Sequence, residues 1–237
     1  MRERREGIEI LRLDRPSVRN AFNTEMLDEL LAALEESAAD PGLRALVIST
    51  TSEQALSAGA DVGEQLDDAG GVSRMERFAR LYSALDSFPA PVVAVCVGNC
   101  VGAGAEVAAG SDLRVAGDNL KLAWAGGRLA VPVGPSRLVP LVGLSRAKEL
   151  ILTGRVVGAE EAERIGFVHR VVPAAEAEAA AVELAEQASQ GPPEAMRRLK
   201  AMFGDFERTA ERIALENDLL VEFQRHGAGL PTRHTNG

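Results

Sequence analysis

Val92 to Val97 is an uninterrupted run of six apolar residues, and within the next eight positions come Gly98, Gly102, Ala103, Gly104 and Ala105. Such a run bounded by Pro91 and Gly98 reads as a buried strand. The small residues after it let a helix or a ligand come close to the backbone. Other segments repeat the theme. Ile8 to Leu13 alternates apolar and polar residues, Arg44 to Ser49 reads as a second buried strand, and Leu113 to Ala116 as another. Between them lie helical patterns. Asn23 or Thr24 can cap a helix with Met26, Leu27, Leu30, Leu31 and Leu34 on one face, and residues 73 to 87 place Phe78, Leu81 and Leu85 together. Strands alternating with helices predict an α/β fold. From about residue 174 the pattern is almost wholly helical: an Ala/Glu-rich stretch to Ala188, a helix opened by Pro192-Pro193, and a long one from Phe206 to Arg225. The expected organisation is an α/β core over residues 1–173, a helical region over 174–226 and a disordered tail over 227–237.

Composition narrows the function classes. A chain of 237 residues with 46% hydrophobic and 26% charged residues is an ordinary globular protein. A net charge of −9 disfavours general nucleic-acid affinity, and an aromatic content of 4% leaves little for base stacking. No run of 18 apolar residues predicts a transmembrane helix, and the charged start Met1 to Glu6 lacks a signal-peptide core, so a cytoplasmic location with no membrane partner is expected. Cys96 and Cys100 make neither a disulfide framework nor a metal site and read as small buried hydrophobes. No metal is expected.

Gly102-Ala-Gly104 invites comparison with phosphate-binding turns. The dinucleotide fingerprint fails, because Val107 stands where its third small residue belongs and Gly126-Gly127 where its acidic residue belongs. No Gly-Lys-Ser/Thr follows, which excludes a P-loop. A helix beginning at Ala103 would instead present free N–H groups and a positive dipole end, a fit for an oxyanion in acyl chemistry. The loop Ser57-Ala-Gly-Ala-Asp61 could supply a second donor. The competing reading is that Gly102 and Gly104 only allow tight helix–strand packing.

These segments, in this order, resemble the enoyl-CoA hydratase/isomerase (crotonase) family. The resemblance rests on Asp14 to Ala21, Ser57 to Asp61, Pro91 to Asp112, Leu152-Thr-Gly154, Ala159 to Ala162 and Gly166 to Pro173. It implies a crotonase-like spiral of repeated β-β-α units with a helical C-terminal region. It implies an enzyme acting on enoyl-CoA, with the N–H groups of Ala60 and Ala103 holding the thioester oxyanion. Ser17, Arg19, Ala58, Asp61, Val62 and Gly102 would line the CoA path, and Arg19 could meet a phosphate. No cofactor is implied, since CoA is part of the substrate. A homotrimer or homohexamer is expected.

Glu106 matches the first of the two glutamates of the family's hydratases, and Gly126 stands in place of the second. Hydration needs two groups, one activating water and one handling the α proton. A lone carboxylate suits a double-bond shift. The departures extend to the shortened run Val131-Pro-Val-Gly134 and the altered C-terminus. A non-catalytic acyl-CoA binder, or decarboxylation or hydrolysis of a CoA thioester, are the alternatives. Asp112 and His169 read as structural, Glu64, Asp67 and Asp68 as a solvated acidic face, and Trp124 as either a substrate contact or core.

Overall fold

A computed structural model describes residues 1–227, 229 and 230. Most of the expected tail lies outside the described residues. Among the described residues nine strands occur: β1 (Arg2–Arg5), β2 (Ile8–Leu13), β3 (Ala45–Thr50), β4 (Ala55–Ser57), β5 (Val92–Cys96), β6 (Asn99–Val101), β7 (Leu113–Gly117), β8 (Lys121–Ala123) and β9 (Arg170–Val172). They form a six-stranded sheet of order β1-β2-β3-β5-β7-β9 and a three-stranded sheet of order β4-β6-β8. Only the β1–β2 pairing is antiparallel.

The chain writes one strand into the large sheet, the next into the small sheet, then a helix, and repeats. The helices between them are α1 (Thr24–Ala39), α2 (Asp68–Asp86) and α3 (Ala103–Gly110). After β8 come α4 (Gly126–Leu129), α5 (Pro135–Val142), α6 (Leu144–Thr153) and α7 (Ala159–Arg164). The C-terminal helices are α8 (Ala177–Ala188), α9 (Pro193–Glu207) and α10 (Thr209–His226). This is the β-β-α spiral of the crotonase fold.

The two-residue period of the strands feeds two cores. Leu46, Ile48, Ala94 and Cys96 face α1, α2 and α3, while Val47, Val93, Val95 and Val115 face Ala177, Ala181 and Ala185 of α8. Helix α8 thus covers the second face of the large sheet. Helix α1 starts where expected, with the Asn23 side chain accepting from the Met26 N–H at 3.0 Å and its five predicted apolar residues buried. Helix α2 begins earlier than its apolar pattern suggests, at Asp68, because the Asp67 side chain caps the Gly70 N–H. Helix α9 buries no residue, and Leu199, Met202, Phe203 and Phe206 along it are exposed. No helix among the described residues is long and apolar enough to cross a membrane.

Candidate active site

The small sheet brings the site together. Its strands are parallel neighbours, paired Ala55↔Asn99 and Ser57↔Cys100, then Cys100↔Leu122 and Val101↔Ala123. Their carboxyl ends therefore deliver three turns side by side: Ala58 to Asp61 after β4, Gly102-Ala103 after β6, and Trp124 to Gly126 after β8. Ligands in parallel α/β sheets favour this end of the strands.

The first two turns touch. Gly59 has φ of +99°, and a Cβ there would stand 3.0 Å from the Val101 carbonyl oxygen and 3.6 Å from the Ala103 nitrogen. Only glycine serves at such a φ and such a separation. Ala60 is fixed on its other side. Phe22 N–H donates to Gly59 O at 2.8 Å and Asp61 N–H to Phe22 O at 2.9 Å. Neither the Ala60 N–H nor the Ala103 N–H has an acceptor among the described residues. Ala103 is the first residue of α3, so its free N–H is what a helix start leaves over. Gly104 fits the competing packing argument, because a Cβ there would be 2.5 Å from Ser57 O. Close packing and two unpaired donors coexist in the same turn.

The N-terminal segment is stitched onto the first turn. The side chain of buried Asn20 donates to Ala55 O at 3.0 Å and to Thr50 Oγ1 at 2.7 Å and accepts from Arg15 N–H at 2.7 Å. Ala58 N–H donates to Arg19 O at 2.9 Å. Ser17 and Arg19 are exposed, while Ala58, Asp61, Val62 and Gly102 are half-buried. Asp61 is tied to Arg15 at 3.1 Å and accepts from Gly63 N–H at 3.0 Å. Arg19 and Ala58 are thus held together through the backbone, and Asp61 is engaged in holding the loop.

Glu106 lies one turn into α3 and is wholly shielded from solvent. Its Oε2 accepts from Arg137 Nε of α5 at 2.7 Å. Arg137 Nη2 donates at 2.5 Å to Oε1 of Glu216, on α10, and the guanidinium stacks 4.3 Å from the Tyr82 ring centroid. Glu216 also accepts from Ser136 N–H and Ser136 Oγ, each at 2.8 Å. Among the described residues no hydrogen bond of normal geometry reaches Glu106 Oε1 or leaves Trp124 Nε1, although the indole lies close enough to the carboxyl to favour its ionised form. Burial pushes the Glu106 carboxyl up to about 7, Arg137 opposes the rise and Glu216 adds to it. Gly134, with φ of +117°, lies against this carboxyl, and a Cβ there would be 3.1 Å from Glu106 Oε1.

Gly126 is more than a missing acid. A Cβ on it would lie 2.9 Å from Val131 O and 3.3 Å from Val133 Cγ1, so the shortened Val131–Gly134 run occupies the space a side chain would need. Trp124 resolves as core: it is buried and meets Phe167 edge-on at 5.3 Å. Asp112 is structural as expected, accepting from Val92 N–H at 2.7 Å and Lys200 Nζ at 2.6 Å. His169 Nδ1 accepts from Arg114 N–H at 3.1 Å, also a structural role. Cys96 and Cys100 are free and buried. Asp67 and Asp68 are exposed, as expected of a solvated acidic face, and Glu64 departs from that expectation. Glu64 accepts from Thr24 N–H at 2.9 Å and pairs with buried Arg74 at 3.2 Å, while Asp67 caps α2. Glu64 is drawn in because a helix-start N–H and a buried guanidinium both need an acceptor.

Sequence reading missed Arg137 and Glu216. A lone arginine in the otherwise apolar helix segment Ser136 to Val142 was the available signal for the first. Glu216 sits among exposed acids on α10 and carried none.

A spiral of strands that alternate between a six-stranded and a three-stranded parallel-rich sheet, with helices between, defines the crotonase-fold class. Within it, the chain belongs to the enoyl-CoA hydratase/isomerase family, whose sequence profile matches residues 3–229. It is 33% identical over 233 residues to YngF of Bacillus subtilis, provisionally named an enoyl-CoA hydratase/isomerase, across 96% of this chain and 88% of that one. It is 30% identical over 224 residues to the 2,3-dehydroadipyl-CoA hydratase of Escherichia coli, across 93% and 86%. The enoyl-CoA hydratase structure from Bacillus anthracis superposes with a TM-score of 0.82 at 25% identity, covering 99% of both chains.

Proposed function

We propose that the protein shifts the double bond of an enoyl-CoA thioester, with the carbonyl held by the N–H groups of Ala60 and Ala103 and Glu106 as the single acid/base. The observation that carries this reading is the pair of touching turns with two unpaired N–H groups, with the carboxylate one helical turn behind them. The carboxylate of Glu106 takes a proton from C2 of a 3-enoyl-CoA. The electron pair moves into the thioester, and the resulting oxyanion is stabilised by the two N–H groups. The same proton returns at C4, giving the 2-enoyl-CoA. One group that takes and returns a proton works best with a pKa near the working pH, and burial has moved Glu106 there. Hydration calls for a second positioned group, which Gly126 and its filled surroundings do not provide. On this reading Ser17, Arg19, Ala58, Asp61, Val62 and Gly102 line the CoA path, and no cofactor takes part. The exposed apolar residues of α9 support assembly with further copies of the chain as a trimer or hexamer.

The shielding of Glu106 favours one second reading, an acyl-CoA binder without turnover. The deciding experiment assays 2-enoyl-CoA hydration and 3-enoyl-CoA isomerisation side by side in the wild type and Glu106→Gln. Isomerisation lost in Glu106→Gln supports the first reading. Fast hydration by the wild type overturns the one-carboxylate argument, and tight binding without either reaction supports the second reading.

A further inference from the structure

We infer that Glu216, on the C-terminal helix, is a positioning residue for the acid/base, acting on Glu106 through Arg137. The geometry is a buried chain of carboxylate, guanidinium and carboxylate. Arg137 reaches Glu106 through Nε at 2.7 Å and Glu216 through Nη2 at 2.5 Å. The two carboxylates compete for one cation, and the arrangement favours Glu216, which receives two further hydrogen bonds from Ser136. Among the described residues Glu106 receives one hydrogen bond of normal geometry, on Oε2, and its Oε1 receives none. A planar guanidinium can present separate N–H groups to two acceptors, and its stacking on Tyr82 holds the plane in place.

The division matters for the chemistry. A buried carboxylate with a guanidinium to itself would stay ionised and would be poor at returning a proton. A buried carboxylate with no cation would hold its proton and be a poor base. Sharing Arg137 with Glu216 places Glu106 between these limits and keeps Oε1 as the oxygen that exchanges the proton. The groups that face Glu106 are Arg137 from α5, Glu216 from α10, Tyr82 from α2 and Trp124 after β8. Tyr82 is pushed up by burial and stays neutral, while the Trp124 indole, which only donates, favours the ionised Glu106 as Arg137 does, and none of the variants below alters it.

This inference rests on Glu106 being the acid/base, and the test separates the two claims. The rate of 3-enoyl-CoA isomerisation is measured against pH for the wild type, Glu216→Gln, Arg137→Lys and Glu106→Gln, with melting temperatures alongside. Glu216→Gln gives Arg137 to Glu106 alone, so the midpoint of the acid limb is expected to move down by about one pH unit, with a few-fold lower plateau from the weaker base. Arg137→Lys keeps the charge but loses the fork, so Glu106 gives up its directed hydrogen bond and the midpoint is expected to move up. A midpoint unmoved in both variants, with only melting temperature or plateau lowered, overturns the positioning role. Should Glu216→Gln not fold, the direction of shift in Arg137→Lys decides. Full activity in Glu106→Gln would instead remove the acid/base reading beneath it.

Discussion

At the scale of single residues, the proposed site rests on two backbone N–H groups and on one carboxylate. Ala103 occupies the first position of α3, where proline is well tolerated because its missing N–H has no helical acceptor there and its fixed φ suits the helix. Gly102 before it accepts the restriction proline places on its neighbour. Ala103→Pro is therefore expected to keep the fold while removing one oxyanion donor, lowering kcat by about 10²–10³-fold. Steady-state kinetics beside a melting curve check this. Glu106→Gln should lower kcat by about 10²–10⁴-fold and yet gain stability at high pH. The Glu106 carboxyl is raised by burial from 4.5 to about 7, so the folded state binds its proton more tightly than the unfolded state does. Its contribution to stability is fully present below about 4.5 and is lost as pH rises to about 7. Wild type should therefore lose on the order of 1–3 kcal/mol across that window while the glutamine variant does not. Denaturant melts of both proteins at pH 5 and pH 8 measure the difference. Glu106, Ala60 and Ala103 could be proposed from the sequence because they lie inside ordered local motifs. Arg137 and Glu216 were not, since they meet only through contacts spanning 31 and 79 or more residues.

At the scale of elements, periodicity and caps carried the reading as far as length allowed. Helix α1 could be read to its cap, and Asn23→Ala is expected to cost about 1 kcal/mol by losing the bond to the Met26 N–H. A shift in the urea midpoint with an unchanged slope would report it. The strands of the large sheet have five or six residues from β2 to β7, enough for alternation to show. Strands β4, β6 and β8 have three each, too few for any period, although they place the whole site. Helix α2 hid its first turn behind Gly70 and Gly71, which are weak helix formers. The break between α9 and α10 falls at Arg208, held at φ of +51° with neither glycine nor proline to mark it.

At the scale of the whole molecule, the spiral was legible because successive motifs fell in one order along the chain. What each C-terminal helix covers was not. Helix α8 closes the large sheet and α10 packs against α2, whereas α9 presents Phe203 and Phe206 to solvent at 66% and 77% exposure. Replacing both phenylalanines with Glu should leave each subunit folded and shift the protein toward monomer, since apolar contact area drives such association. Light scattering on wild type and the double variant checks this, and a wild type that is already monomeric would refute it.

The tie between Glu106, Arg137 and Glu216 also bears on how the protein is made. A ribosome makes the first two members of the cluster well before the third, which follows Arg137 by 79 residues. Until α10 emerges, a nascent subunit can wind its strands and bury most of its core, but one guanidinium fork has no carboxylate to receive it. Contacts of such long sequence separation form slowly. The environment of Glu106 is thus completed by a contact that forms late, after the spiral around it is in place.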